Sequence, residues 1–371
     1  MVDGFVKRVV IADCVRTAWG KPGGGLASFI SSDFSAKILG ELLERTGVDA
    51  NAVDQVVFGQ AHPSTMPNNI GHYAWLKAEL PVEVPGYTVQ SYSGSALQAL
   101  RNCYYLIATG NEKICIAGGA DSYSAAPFVL RDARNPFYPQ HRTFIDSIEE
   151  AELCTQPEAM GRMEQYELAH GKQVSEEAAK FAQESIAKAQ AAECAGQILP
   201  ISYEVRKKGT VTVDKDEWVL KPDASGSVLS PYADGAAVAM LMSEEKANEL
   251  GIKAKAAICG FAVAGCDPKQ QQTSGALAVQ KLLKNKNLTM DDIAVIEVIE
   301  NSAQDVIDTM QTLGGNAKVN PMGGALAYGK NDGAEGIAML MRLVASLEEG
   351  QKGIVCVYSA GGQGMAALVE A

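Results

Sequence analysis

The stretch LLERTGVDANAVDQVVFG, residues 42–59, and the stretch LLKNKNLTMDDIAVIEVI, residues 282–299, are two versions of one pattern set 240 residues apart. Each reads as the end of an amphipathic helix, a polar turn and a short β-rich run. Leu42 and Leu43 stand where Leu282 and Leu283 stand, Val53 matches Ile293, and Val56 matches Ile296. A second echo follows in the same order. SALQALRNCYYLIATG (95–110) has helical apolar spacing with Gly110 as a stop, and leads into the strand KICIAGG (113–119). GIAMLMRLVASLEEG (336–350) ends at Gly350 and leads into GIVCVYSAGG (353–362). Two such strand–helix–strand units, repeated in order, predict a duplicated α/β domain rather than one long doubly wound sheet.

Between the two copies the composition changes. GRMEQYELAHGKQVSEEAAKFAQESIAKAQAA is polar and helix-forming, and the chain after Gln197 is rich in turns. This predicts an inserted, mostly helical lobe over 121–231, with one half of the duplication formed by 1–120 and 232–255 and the other by 256–371. Insertions between scaffold elements commonly carry substrate contacts.

Composition narrows the function. Hydrophobic residues make up 47% and charged residues 20% of the 371, an ordinary globular profile. No run approaches the roughly 18 apolar residues of a membrane span, and the start lacks a signal-peptide pattern, so a cytoplasmic protein is expected. The net charge of −12 argues against binding nucleic acid non-specifically. The eight cysteines are scattered singly, without a CxxC pair, and there are four histidines. No metal site and no permanently bound cofactor is therefore expected. Arg206, Lys207 and Lys208 form a local basic spot that either faces a nucleotide or is a solvated loop.

At SYSGSALQAL (91–100) the sequence resembles the nucleophile motif of the thiolase superfamily, as found in acetyl-CoA acetyltransferases. Further segments follow in that family's order: VIADCVRTAWGK (10–21), AGGADSYSAAP (117–127), MGRMEQYELAHG (160–171), ADGAAVAMLMSEEKA (233–247), KVNPMGGALAYG (318–329) and AGGQGMAALVE (360–370). The resemblance implies a five-layered αβαβα duplicated thiolase fold with an inserted helical loop domain, a coenzyme A thioester as substrate, and a homodimer or tetramer. It also implies substrate or coenzyme A contacts at Met160, Ser230, Lys207 and Lys208, and backbone oxyanion donors at Ala360 and Gly362 beside Ser93.

The same alignment predicts a departure from the family. Its nucleophilic cysteine falls on Ser93, its catalytic histidine on Lys330 and its second, acid–base cysteine on Tyr358. The asparagine that holds a catalytic water falls on Ile299, and a further histidine on Ala159. A hydroxyl at a helix N-terminus is harder to ionise than a thiol and needs a base within reach. Lys330 is the candidate by position, as a base, a ligand or oxyanion contact, or one end of a structural salt bridge. Tyr358 is read as a proton donor or a packing tyrosine. Any of His62, His72, His141 and His170 could turn inward to supply the base. Three functions are carried forward. The first is an acyl-CoA-dependent acyltransferase or carbon–carbon bond enzyme with Ser93 at its centre. The second is a retro-aldol-type lyase using Tyr358 and acting with a small OB-fold partner. The third is a non-catalytic subunit.

Overall fold

A computed structural model describes residues 6–63, 68–130, 144–148, 175–192, 197–205, 209–220 and 228–371. Met160, Lys207, Lys208, Ala159, His141 and His170 lie outside the described residues.

The strands are β1 (Val9–Thr17), β2 (Gln55–Gly59), β3 (Gly86–Val89), β4 (Ile114–Asp121), β5 (Phe128–Leu130), β6 (Phe144–Asp146), β7 (Ile198–Leu199), β8 (Ile201–Val205), β9 (Gly209–Val213), β10 (Gly235–Ser243), β11 (Ala256–Gly265), β12 (Val295–Val298), β13 (Lys318–Val319), β14 (Lys352–Ser359) and β15 (Gln363–Glu370). The helices are α1 (Ser31–Thr46), α2 (Ile70–Lys77), α3 (Ser95–Ala108), α4 (Glu176–Ala191), α5 (Glu217–Leu220), α6 (Glu244–Leu250), α7 (Thr273–Lys286), α8 (Ala303–Leu313), α9 (Ala325–Tyr328) and α10 (Glu335–Ser346).

The order across the main sheet is β13-β12-β14-β15-β11-β1-β10-β4-β2-β3, with β7 on β1. Read from the middle, this order is a palindrome. β1 and β11 pair over Val9–Ile11 and Ala256–Ile258, and each leads outward through equivalent strands to β3 or β13. The duplication read from residues 42–59 and 282–299 is therefore realised in the strand order. β2 lies parallel to β3 and β4, and β12 parallel to β13 and β14.

Burial on both faces explains the composition of the inner strands. Every residue of β1, β4 and β10 is buried, and their sequences are near-continuous apolar runs rather than alternations. One core layer packs α1 and α2 on the outside of the first half-sheet, through Phe34, Ile38, Leu42, Trp75 and Val238. A matching layer packs α7 and α8 through Val279, Leu282, Ile296 and Val306. Between the half-sheets lies a layer built from α3 and α10, holding Leu97, Leu100, Ile107, Ile337, Leu340 and Leu343. The five expected layers are present.

Two glycines set how closely these layers meet near the start of α3. A Cβ on Gly59, at the end of β2, would lie 2.4 Å from the carbonyl carbon of Ser95. A Cβ on Gly119, in β4, would lie 1.8 Å from the carbonyl oxygen of Gly333. Both contacts are with backbone, so only glycine admits them. They press the first turn of α3 and the 330–334 loop against the ends of β2 and β4.

The segment read as a mostly helical lobe contains more than helix. α4 packs through a stripe of Ala178, Ala182, Ser185 and Ala189. The described residues there also include two antiparallel strand pairs, β5 with β6 and β8 with β9. In β8, ISYEV alternates large and polar residues, a two-residue period outweighed in the sequence reading by the long polar helix before it. No helix among the described residues is long and apolar enough to cross a membrane.

Candidate active site

Ser93 sits at a tight turn before α3. Gly94 is the N-cap residue and contributes no capping side chain, while Tyr92 adopts a left-handed φ of 46°. Ser95 holds the turn closed: its hydroxyl donates to the Tyr92 carbonyl (2.6 Å) and accepts from the Ser91 amide (2.8 Å). The strained residue is thus secured from both sides, and Ser93 is presented at the positive end of a 14-residue helix.

The Ser93 hydroxyl, 7% exposed, donates to Asp332 Oδ1 at 2.6 Å. Asp332 was not singled out in the sequence. It lies two residues after Lys330 in GKNDG and is only 5% exposed. Its other oxygen, Oδ2, collects three groups: the Tyr123 hydroxyl at 2.8 Å, His62 Nε2 at 3.5 Å and Lys330 Nζ at 3.6 Å. Burial alone would raise the Asp332 pKa. The charge of Lys330, followed by the hydrogen bond and charge of His62 and the bond from Ser93, outweighs burial and holds it far below the usual carboxylate range. Asp332 is therefore an anion at any working pH.

Three backbone segments converge to build this cluster. Asn331, fully buried, donates to the carbonyls of Asp121 (2.8 Å), Ala233 (2.8 Å) and Gly235 (3.2 Å) and accepts from the amides of Asp121 and Ala334. It ties the 330–334 loop to the end of β4 and the start of β10. Asp121 accepts from the amides of Ala61 (3.2 Å), His62 (3.1 Å) and Gly333 (2.7 Å). That fixes His62, which follows β2, against the same loop. Burial pushes the Asp121 pKa up to about 6, with His62 opposing. Tyr123 and Tyr232 stack at 4.3 Å between ring centroids, and Lys330 Nζ lies 4.9 Å over the Tyr232 ring. Lys330 is thus held between a carboxylate and an aromatic face. Among the described contacts the Ser93 hydroxyl meets a carboxylate and no basic nitrogen.

Tyr358, near the end of β14, forms a second hydroxyl–carboxylate pair by donating to Asp305 Oδ2 near the start of α8. Burial, followed by the charge of Asp305, pushes its pKa well above that of a free phenol. The turn at Ala360 and Gly362 follows β14, with Gly361 and Gly362 at positive φ. A cavity of about 40 Å³ lies between this hairpin and the start of α3, lined by Ser91, Gly94, Gln98, Ser359 and Gly364, among others. It has room for about one water molecule. The Ser230 hydroxyl donates to the Glu300 carbonyl, and its amide to the Asn301 carbonyl at 3.2 Å, so both its polar groups are engaged by backbone.

The structure therefore brings Ser93 and Lys330 together, through a residue between them, and seats Tyr358 on a different carboxylate. His72 lies on α2 with its backbone against Gly86, away from the Asp332 contacts. Asp332, Asp121, Asn331, Tyr123, Tyr232 and Asp305 were missed. The available signal was Lys330-Asn331-Asp332, a polar run between Gly329 and Gly333, and Asp121 ending a continuous apolar strand. Among the described residues no group of three or more His, Cys, Asp or Glu is placed to hold a metal ion.

A family model described as the thiolase N-terminal domain matches residues 9–245, and one described as the thiolase C-terminal domain matches residues 252–371. Similar proteins include an acetyl-CoA acetyltransferase of Chromobacterium violaceum, 33% identical over 98% of this chain and 99% of that one. A beta-ketoadipyl-CoA thiolase of Acinetobacter baylyi is 32% identical over 98% and 100%. The crystal structure of the Bacillus anthracis acetyl-CoA acetyltransferase shares the fold with a TM-score of 0.87 at 30% identity, covering 98% of this chain and 99% of that one.

Proposed function

The chain belongs to the thiolase family, and on that premise we propose that it is an acyltransferase or carbon–carbon bond enzyme acting on a coenzyme A thioester through Ser93. The observation that carries this reading is the 2.6 Å bond from the Ser93 hydroxyl to an ionised, buried Asp332 at the N-terminus of α3. A bond to an anion orients the hydroxyl and increases its electron density, the helix end favours charge developing on the oxygen, and as the acyl group moves to Ser93 the hydroxyl proton leaves on the coenzyme A sulfur. In this reading Lys330 is the counter-ion that keeps Asp332 charged rather than the base. Backbone N–H groups of Ser93, Ala360 and Gly362 supply donors for a thioester oxyanion. Serine stands here where the family places its nucleophilic cysteine.

Coenzyme A contacts at Met160, Ser230, Lys207 and Lys208 belong to the same proposal. So does a homodimer: β3 pairs only with β2 among the described strands and forms an edge of the sheet, with exposed Tyr73, Leu76 and Val82 near it. The test is mass spectrometry after incubation with acetyl-CoA. An acyl adduct on the Ser93 peptide, lost in Ser93→Ala together with turnover, is the expected result. Absence of an adduct, with Tyr358→Phe rather than Ser93→Ala the crippling change, would replace this reading with the retro-aldol lyase that acts with an OB-fold partner. If neither substitution alters any rate, the chain is a binding or assembly subunit.

A further inference from the structure

The site described so far has an oriented hydroxyl and an anion, but no assigned group able to take up a proton. Asp332 is too acidic to hold one, and Tyr358 keeps its own. Lys330 is engaged by Asp332 and Tyr232. His62 differs in one respect from the other groups on Asp332. Its Nε2 faces Asp332 Oδ2, whereas its Nδ1 is buried and has no hydrogen-bond partner among the described residues. A buried polar atom left without a partner calls for an explanation. An ionised carboxylate only accepts, so the Nε2 facing it must carry the hydrogen. That fixes the neutral tautomer and leaves the lone pair on Nδ1. The arrangement is that of a carboxylate-oriented imidazole whose second nitrogen is left unpaired among the described residues.

We propose that His62 is the catalytic general base of this site, with Nδ1 taking a proton from the carbon next to the carbonyl of a bound acyl thioester. The proposal rests on the coenzyme A thioester reading and deepens it. In the step, the C–H bond breaks and its electron pair forms a carbon–carbon double bond as the carbonyl oxygen takes the negative charge. An N–H bond forms on Nδ1, and the resulting imidazolium stays paired with Asp332. Return of a proton from Nδ1 to carbon reverses the step, and no oxidant or further reactant is needed.

The groups facing His62 fix its pH behaviour. Asp332 and Lys330 come from the loop after α9, Asp121 and Tyr123 from the end of β4, and Tyr232 from the segment before β10. Burial disfavours the imidazolium. The Asp332 hydrogen bond and the charges of Asp121 and Asp332 outweigh burial and the opposing Lys330, so its pKa is raised. A base with a raised pKa is freed as pH increases, so the reaction should speed up through His62 deprotonation and then level off.

The experiment is deuterium uptake into the acetyl group of acetyl-CoA in heavy water, read by mass spectrometry, with acetyl-CoA affinity measured separately by calorimetry. The wild type is expected to exchange, with a rate that rises with pH to a plateau. His62→Gln and His62→Ala should lose about 10²-fold or more of that rate, the usual worth of a positioned base, while affinity changes by less than about threefold. A protein that does not bind acetyl-CoA would overturn the thioester reading, and this assignment with it. Binding without exchange, or exchange within tenfold of wild type in a folded His62→Gln, would overturn His62 alone. If neither variant folds by circular dichroism, the wild-type pH profile decides, and a rate flat from pH 6 to 9 overturns the proposal.

Discussion

Replacing Asp332 with asparagine tests the electrostatic core of the site most directly. The substitution keeps the shape and one acceptor oxygen but removes the charge facing Lys330 and His62 at 3.6 and 3.5 Å. It also places an amide NH2 group against either Ser93 or Tyr123, so one of the hydroxyls now donating at 2.6 and 2.8 Å must turn and accept instead. Breaking a buried ion pair by removing one partner costs roughly 3–5 kcal/mol. The Lys330 side chain is 19% exposed and can partly resolvate, so about 2–3 kcal/mol is expected. Lys330→Met alone should cost less, because Asp332 keeps three donors. In the Asp332→Asn background, Lys330→Met should cost almost nothing, since it then removes a charge that has lost its partner. The double-mutant cycle should therefore show a coupling of about 1–2 kcal/mol. The assay is urea unfolding of the four proteins at one protein concentration, pH 7 and moderate salt. Asp332 has its pKa depressed on folding, so the stability it adds is present above its unfolded value near 3.8 and is lost as pH falls below that. The gap between wild type and Asp332→Asn should thus widen as pH falls from 8 through the titration of His62, whose pKa Asp332 raises, and shrink below about 4. Additive effects within about 0.3 kcal/mol, or a gap that closes near neutral pH, would refute this account of the cluster.

Glu297 gives a pH effect of opposite sign: buried between β12 and α10 beside Arg342, it is pushed up to about 7 by burial, against the pull of Arg342. The unfolded chain releases this proton first, so Glu297 should lower stability as pH rises from about 4.5 to 7, by about 1–3 kcal/mol. Glu297→Gln should flatten that part of the urea-midpoint profile, and an unchanged slope would show that Glu297 does not titrate there. The proposed dimer should appear as twice the chain mass in light scattering at micromolar concentration; Thr88→Pro, in the edge strand β3, should weaken it, and a wild-type monomer would remove the β3 interface from consideration.

Much of the fold was legible because it is written in local, repeating terms. The equivalence of Leu42 and Leu43 with Leu282 and Leu283, and of Val56 with Ile296, marks the same inward faces in both halves, and those faces became equivalent core positions flanking a palindromic sheet. Helix and strand periods encode which side of an element is buried, and that information survives in one sequence. Ser93, just before the start of α3, was reached by another route, the resemblance of SYSGSALQAL to the family's nucleophile motif.

What the sequence alone did not determine is which side chains meet at that helix start. Asp332 is 239 residues from Ser93 and reaches it only because β4 carries glycine at 119, where the Gly333 backbone packs, and because Asn331 ties that loop to β4 and β10. His62 could be ranked only as one histidine of four until the amides of residues 61 and 62 were seen bound to Asp121. Lys330 was singled out by position, but its contacts with the carboxylate two residues on, at 3.6 Å, and with the Tyr232 ring came from the tertiary structure. Periodicity specifies burial, whereas the pairing of buried polar groups is set by how separate backbone segments pack together. That packing exists only in the tertiary structure.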